Sequence, residues 1–172
     1  MNLSTKPISW RWGEQVLQLD QLDPPEATTI MPGESEPIGS PEAALTQALN
    51  HPIGTVRWDD WLQPGDRVLI VLPDRQRGRM HKPFLPHLLK ALLKAGAHQA
   101  HIELLIGGGS HTPADQKQMA YLVGDRILQQ YHVHAHDCDD EKNLISIGTT
   151  SFGTPVRVNK LAVGAKLILV GE

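Results

Sequence analysis

Two stretches set reactive side chains directly behind an apolar run. In VLIVLPDRQRGR, residues 68–79, the run is followed by Asp74, Arg75, Arg77 and Arg79. In LLIGGGSHTP, residues 104–113, it stops in Gly107, Gly108 and Gly109 and then offers Ser110, His111 and Pro113. A guanidinium forks two N–H groups onto a carboxylate or phosphate, and a nearby aspartate orients that arginine or accepts a ligand hydroxyl. An imidazole, whose ordinary titration lies close to neutrality, suits proton transfer at a substrate hydroxyl. Bare glycine backbone permits positive φ and close approach, and N–H groups at a helix start attract anions. Each stretch also has a plainer reading. The first works as a solvated loop with surface ion pairs, and the second as a Gly-rich turn in which His111 merely packs or caps. Neither has the spacing of a dinucleotide fingerprint or a Walker loop.

Other reactive residues carry less. YHVHAHD, residues 131–137, spaces His132, His134 and His136 as a strand would, on one face. Alternate histidines can ligate a metal, but no cysteine or carboxylate of ligand spacing joins them, and a half-exposed strand with Val133 and Ala135 inside accounts for the pattern. Asp137, Asp139 and Asp140 lack the glycine and terminal glutamate of a calcium loop. His51, His81, His87, His98 and His101 fall on helix faces or loops and carry no signal. Trp10, Trp12, Trp58 and Trp61 read as packing against the sheet, with Trp10 and Trp12 on one face of their strand.

These residues must be positioned by a domain of ordinary soluble composition. The 172 residues suit one domain with a substantial core. A net charge of −3 supplies no basic field for nucleic acid or anionic lipid, so both are excluded as expected partners. The single cysteine, Cys138, forms no internal disulfide and fits a reducing compartment. MNLSTKPISWRW has no signal-peptide core and no apolar run is long enough to span a bilayer, so the expected location is cytoplasmic.

Alternation about Gly13 and Glu14 predicts an N-terminal β-hairpin over Ile8 to Leu19, as a lid or an edge. The proline-rich stretch 23–42 predicts an extended connection. Ser40-Pro41 reads as N-cap and first position of a helix, and Gln63-Pro64-Gly65-Asp66 as a turn. A strand in 67–74, a helix over 84–95 ending at Gly96, and a strand in 101–107 make one β-α-β unit; the helix stripe is Leu85, Leu88, Leu89, Leu92 and Leu93. A helix from about Ala114 to Val123, capped by Ser110 or Thr112, another at 125–130 and a strand at 131–137 make a second cycle. A hairpin turning at Ser151-Phe152-Gly153 and a last buried strand, KLILVG, complete an α/β fold with a mainly parallel, Rossmann-like sheet and flanking helices. In such sheets ligands bind beyond the carboxyl ends of the strands, where both reactive stretches fall.

Taken in order, Asp74 and Arg77, then Gly108, His111 and Pro113, then His136-Asp137, then Gly148 and Gly153-Thr154-Pro155-Val156 with Asn159, this sequence resembles the N-terminal domain of nickel-dependent lactate racemase and related 2-hydroxyacid racemases. The likeness spans about residues 60–172. It implies an isomerase in which a nickel-pincer nucleotide takes hydride from the substrate Cα while a histidine removes the hydroxyl proton, leaving a planar 2-oxo acid that is re-reduced on either face. Carried over, His111 is one of two acid/base histidines, Arg77 holds the substrate carboxylate with Arg75 beside it, and Asp74 orders the site. Gly107, Gly108, Gly109 and Ser110 would let cofactor and substrate approach the strand end. Gln76 and Thr112 stand where the family usually has Thr and Arg, so the choice of substrate can differ. The resemblance further implies that residues 1–172 form the N-terminal α/β domain of a longer two-domain enzyme. The second histidine, the cofactor-bearing lysine and a nickel-ligating histidine would lie beyond Glu172, no metal ligand would lie within this chain, and the chain alone would be inactive. The competing expectation is a non-catalytic small-anion binding module built from the glycine turn and Arg75 or Arg77.

Overall fold

The computed structural model describes residues 9–18, 33–54 and 57–171. The chain divides into two compact units, Met1–Pro37 and Ile38–Glu172. In the first, β1 (Ser9–Trp12) and β2 (Gln15–Gln18) pair antiparallel about the expected turn, with Gly13 at φ +61°. They make a two-stranded sheet of their own and are not an edge of the main sheet. Trp12 is exposed. The side chains of Trp10 and Trp58 lie outside the described residues, as does the first half of the proline-rich connection, residues 23–32.

The second unit carries α1 (Pro41–Asn50), α2 (Trp58–Trp61), β3 (Val68–Pro73), α3 (Leu85–Lys94) and β4 (Ile102–Gly107). These are followed by α4 (Gln116–Val123), α5 (Asp125–Gln130), β5 (His132–Ala135), β6 (Leu144–Thr149), β7 (Pro155–Asn159) and β8 (Lys166–Leu169). Four strands form a parallel sheet in the order β5-β4-β3-β8, and β6 and β7 form a separate hairpin. The Rossmann-like α/β expectation and the N-terminal hairpin are both met.

Strand alternation sets the core. Val68, Ile70 and Leu72 of β3 and Ile102, Leu104 and Ile106 of β4 pack with Leu85, Leu88, Leu89 and Leu92 of α3 and with Leu122, Val123 and Ile127 of α4 and α5. Leu69 and Leu105, on the other face of the sheet, are buried as well, which is why these strands read as continuous apolar runs. The helix ends follow their capping residues. The Ser40 side chain accepts from the Ala43 N–H, and α3 closes with Ala97 N–H on Leu92 C=O and Gly96 N–H on Leu93 C=O, with Gly96 at φ +100°.

Three expectations need correction. Leu93 lies at the rim of its stripe and is exposed. The helix expected from Ala114 begins at Gln116 and is capped by Asp115, whose carboxylate accepts from the Gln118 N–H while the Gln118 side chain accepts from the Asp115 N–H; Ser110 and Thr112 cap nothing there. KLILVG is not a buried strand. Its β8 is an edge strand paired to β3 alone, with Leu167 and Leu169 exposed while Ile168 packs on the core.

Candidate active site

The parallel register ends β3 at Pro73 opposite Gly107 of β4, so the two reactive stretches leave the sheet side by side. Asp74 follows β3 as the N-cap of a single 3-10 turn, Arg75–Arg77, its carboxylate accepting from the Gln76 N–H. After β4 the chain makes a tight turn from Gly108 to His111, closed by the His111 N–H on the Gly108 carbonyl at 3.0 Å. Gly109 occupies this turn at φ +60°, a backbone state that disfavours any L side chain. Gly107 serves packing instead, since a Cβ there would stand 3.3 Å from Val71 Cγ1.

The turn delivers His111 to Asp74, with Nδ1 2.6 Å from Oδ2. Partial burial of Asp74 raises its pKa. The His111 hydrogen bond, the Gln76 N–H and the positive charges of Arg77 and of His111 when protonated outweigh that burial, so the carboxyl titrates below its ordinary value. An ionised carboxylate only accepts, so Nδ1 of His111 carries the proton and, in the neutral ring, Nε2 presents a lone pair. The imidazole is about half exposed and Asp74 only 14%. This is an oriented imidazole at a strand end, not a sealed core histidine.

Beside it lies a cavity of about 100 Å3, lined by Asp74, Arg75, Gln76, Gly108, His111, Thr112 and His136, among others. That is far below the ~300 Å3 at which sites for drug-sized ligands begin, and matches a molecule of a few heavy atoms. Arg75 lines the cavity. Arg77 lies at the same end of the sheet and acts on Asp74 through its charge. Gly107, Gly109 and Ser110 shape the turn without lining the cavity. Among the described residues, no carboxylate pairs with Arg75, Arg77 or Lys117, while Arg79 stacks over Tyr121 at 4.3 Å. Residues 75–80 are exposed, so the loop is solvated as the plainer reading expects, and its one ion pair among the described residues is that of Asp74 with His111.

The three histidines of β5 separate. His132 and His134 stack, with ring centroids 6.5 Å apart, and His134 Nε2 stands 3.7 Å from Glu103. His136 lies past the strand end and turns to the cavity, so the one-face expectation holds for two of the three. Among the described residues, Asp137, Cys138 and Asp139 are the one group whose metal-ligating atoms converge, and they include no histidine. His81, set aside as signal-free, is a buried polar residue. Sequence reasoning also missed Gln118 as a cavity residue; the D-x-x-Q spacing of Asp115 and Gln118, a capping box, was the legible signal for its place.

Residues 12–172 match the lactate racemase N-terminal domain family. The chain is 30% identical over 130 residues to lactate racemase of Thermoanaerobacterium thermosaccharolyticum, and 24% identical over 130 residues to that of Lactiplantibacillus plantarum, each match covering 76% of this chain and 30% of the relative. The lactate racemase apoprotein of the former organism superposes with a TM-score of 0.76 at 27% identity, covering 95% of this chain and 38% of that one. A Thermotoga maritima protein, at 18% identity and a TM-score of 0.54, shares the fold over 75% of this chain and 32% of its own. An α/β domain with an aspartate-held histidine beside a small cavity at its strand ends is thus placed by both sequence and shape. The chain belongs to the lactate racemase N-terminal domain family. It spans about 30% of the length of the curated relatives it matches. Among the described residues, no helix is long and apolar enough to cross a membrane.

Proposed function

We propose that this chain is the N-terminal part of a racemase or epimerase acting on a small 2-hydroxy acid, completed by a further domain or partner chain in the cytoplasm. The observation that carries the reading is the 2.6 Å contact of His111 Nδ1 with Asp74 on the wall of a cavity fit for a small acid. Nε2 of His111 takes the hydroxyl proton of one enantiomer and returns it when that enantiomer re-forms, the second acid/base histidine serving the other. Asp74 fixes the tautomer and stabilises the imidazolium in the interval. Arg75 and Arg77 hold the substrate carboxylate, so that Cα–H is presented in one orientation.

A nickel-pincer nucleotide, when bound, would supply the hydride acceptor. The residues present fit one face of such a group and not its anchorage. Open space surrounds the position a Cβ would take at Gly109, and Asp137, Cys138 and Asp139 offer no imidazole. Anchorage is therefore assigned to the remainder of the enzyme.

The test is racemisation of lactate by the assembled, cofactor-loaded enzyme carrying His111→Ala. Loss of a positioned acid/base is expected to lower kcat by about 10²- to 10⁴-fold. Unchanged racemisation would remove His111 from the chemistry.

A further inference from the structure

We infer that His136 is a second imidazole of this site, a fixed hydrogen-bond donor to the substrate's carboxylate, with Asn159 as the residue that fixes it. The inference rests on the reading of the cavity as a 2-hydroxy acid site and adds to it a residue with an opposite proton arrangement to His111.

Backbone geometry fixes the ring's starting point. The His136 N–H donates to the Ile106 carbonyl at 2.9 Å, carrying the β4–β5 ladder one residue past β5 and setting His136 beside the start of the glycine turn. Its ring then lines the cavity with Asp74, Arg75 and His111. The nitrogen that bears the proton follows from Asn159. Oδ1 of Asn159 accepts from the Leu161 N–H at 3.1 Å, which assigns its amide oxygen and nitrogen without reference to the histidine. The Nδ2 thereby faces His136 Nδ1, at 3.3 Å, and an amide nitrogen only donates. Nδ1 of His136 is an acceptor, so the neutral ring carries its proton on Nε2.

The two imidazoles therefore offer complementary groups. His111, held by a carboxylate, presents a lone pair that can remove a proton. His136, held by an amide, presents an N–H that can bind an anion without any change of charge. A monoanionic 2-hydroxy acid needs both: an acceptor at its hydroxyl and donors at its carboxylate. Arg75 supplies charge for that carboxylate, and His136 Nε2–H supplies a second, directional contact. Asn159 closes β7 and caps the 3-10 turn Lys160–Ala162, so the separate β6–β7 hairpin acquires a task in the site, through the ring it holds.

Substitution distinguishes donor, proton carrier and scaffold. In the assembled enzyme, His136→Leu should raise the KM for lactate about tenfold, with a smaller change in kcat, as expected for loss of a contact made equally in ground and transition states. His136→Gln, whose Nε2 can reach the same place and donate, should recover most of that loss. Asn159→Asp keeps the acceptor for the Leu161 N–H but replaces the donor to Nδ1 by an acceptor, which in the neutral ring moves the proton from Nε2 to Nδ1. Its KM should rise as in His136→Leu, and histidine-selective ¹⁵N spectra of the protein should report Nε2–H for His136 in the wild type and Nδ1–H in the variant. An unchanged KM in His136→Leu overturns the inference, as does a fall in kcat alone without rescue by Gln, which would mark a proton carrier. An Nδ1–H tautomer in the wild type overturns it too. His111→Ala distinguishes the two levels: an inactive His111 variant beside an unaffected His136→Leu leaves the 2-hydroxy acid site standing and removes only the role of His136.

Discussion

Asp74 does three things with one carboxylate: it caps the turn Arg75–Arg77, holds the tautomer of His111, and titrates below its ordinary value while doing so. A carboxyl whose pKa is depressed on folding contributes stability that is fully present above its unfolded value, here near 3.8, and is lost as pH falls through the folded value. Asp74→Asn keeps the cap and removes the charge. It should cost about 1 kcal/mol at neutral pH, a figure reduced for the half-exposed imidazole. The gap to wild type in urea unfolding should close as pH drops below the ordinary carboxyl range; a gap constant with pH would assign the loss to packing. The aspartate and histidine were both visible as reactive residues, but their contact was not. They are 37 positions apart, and only the parallel register of β3 and β4 brings them together.

Among the elements, α3 and α4 answer to different physics. The buried stripe of α3 holds the sheet, whereas α4 is short and depends on its reciprocal Asp115–Gln118 cap. Leu92→Ala, at a fully buried position, should lose about 2–5 kcal/mol. Asp115→Ala should lose about 1 kcal/mol and, because Gln118 lines the cavity, should also raise KM in the assembled enzyme. Denaturant unfolding of both variants checks the first part, and equal losses would contradict it. The stripe of α3 was readable from 3.6-residue periodicity. The start of α4 was misplaced because Ser110 and Thr112 are good caps in general, while the Gly108–His111 turn had already claimed that backbone. For β8, apolar composition suggested burial, yet an edge position left Leu167 and Leu169 exposed; composition does not reveal how many neighbours a strand has.

At the scale of the whole molecule, the proposed function makes the chain one wall of a site. If that wall is a half-site, isothermal calorimetry of residues 1–172 alone should show lactate, malate and phosphate binding more weakly than about 1 mM, and no racemisation should be detectable. Micromolar binding by the isolated chain would instead support a self-sufficient anion-binding module. Sequence by itself determined the α/β class, the two hairpins, the placing of both reactive stretches at strand ends and the family resemblance, because periodicity, turn chemistry and motif order are local properties of a chain. Tertiary structure decided which of the nine histidines line the cavity and which group holds each ring there. The end of β3 brings His111 a carboxylate, and a distant hairpin brings His136 an amide. Proton placement on an imidazole is set by the partner of the other ring nitrogen, and that partner is chosen by folding, not by neighbours in sequence.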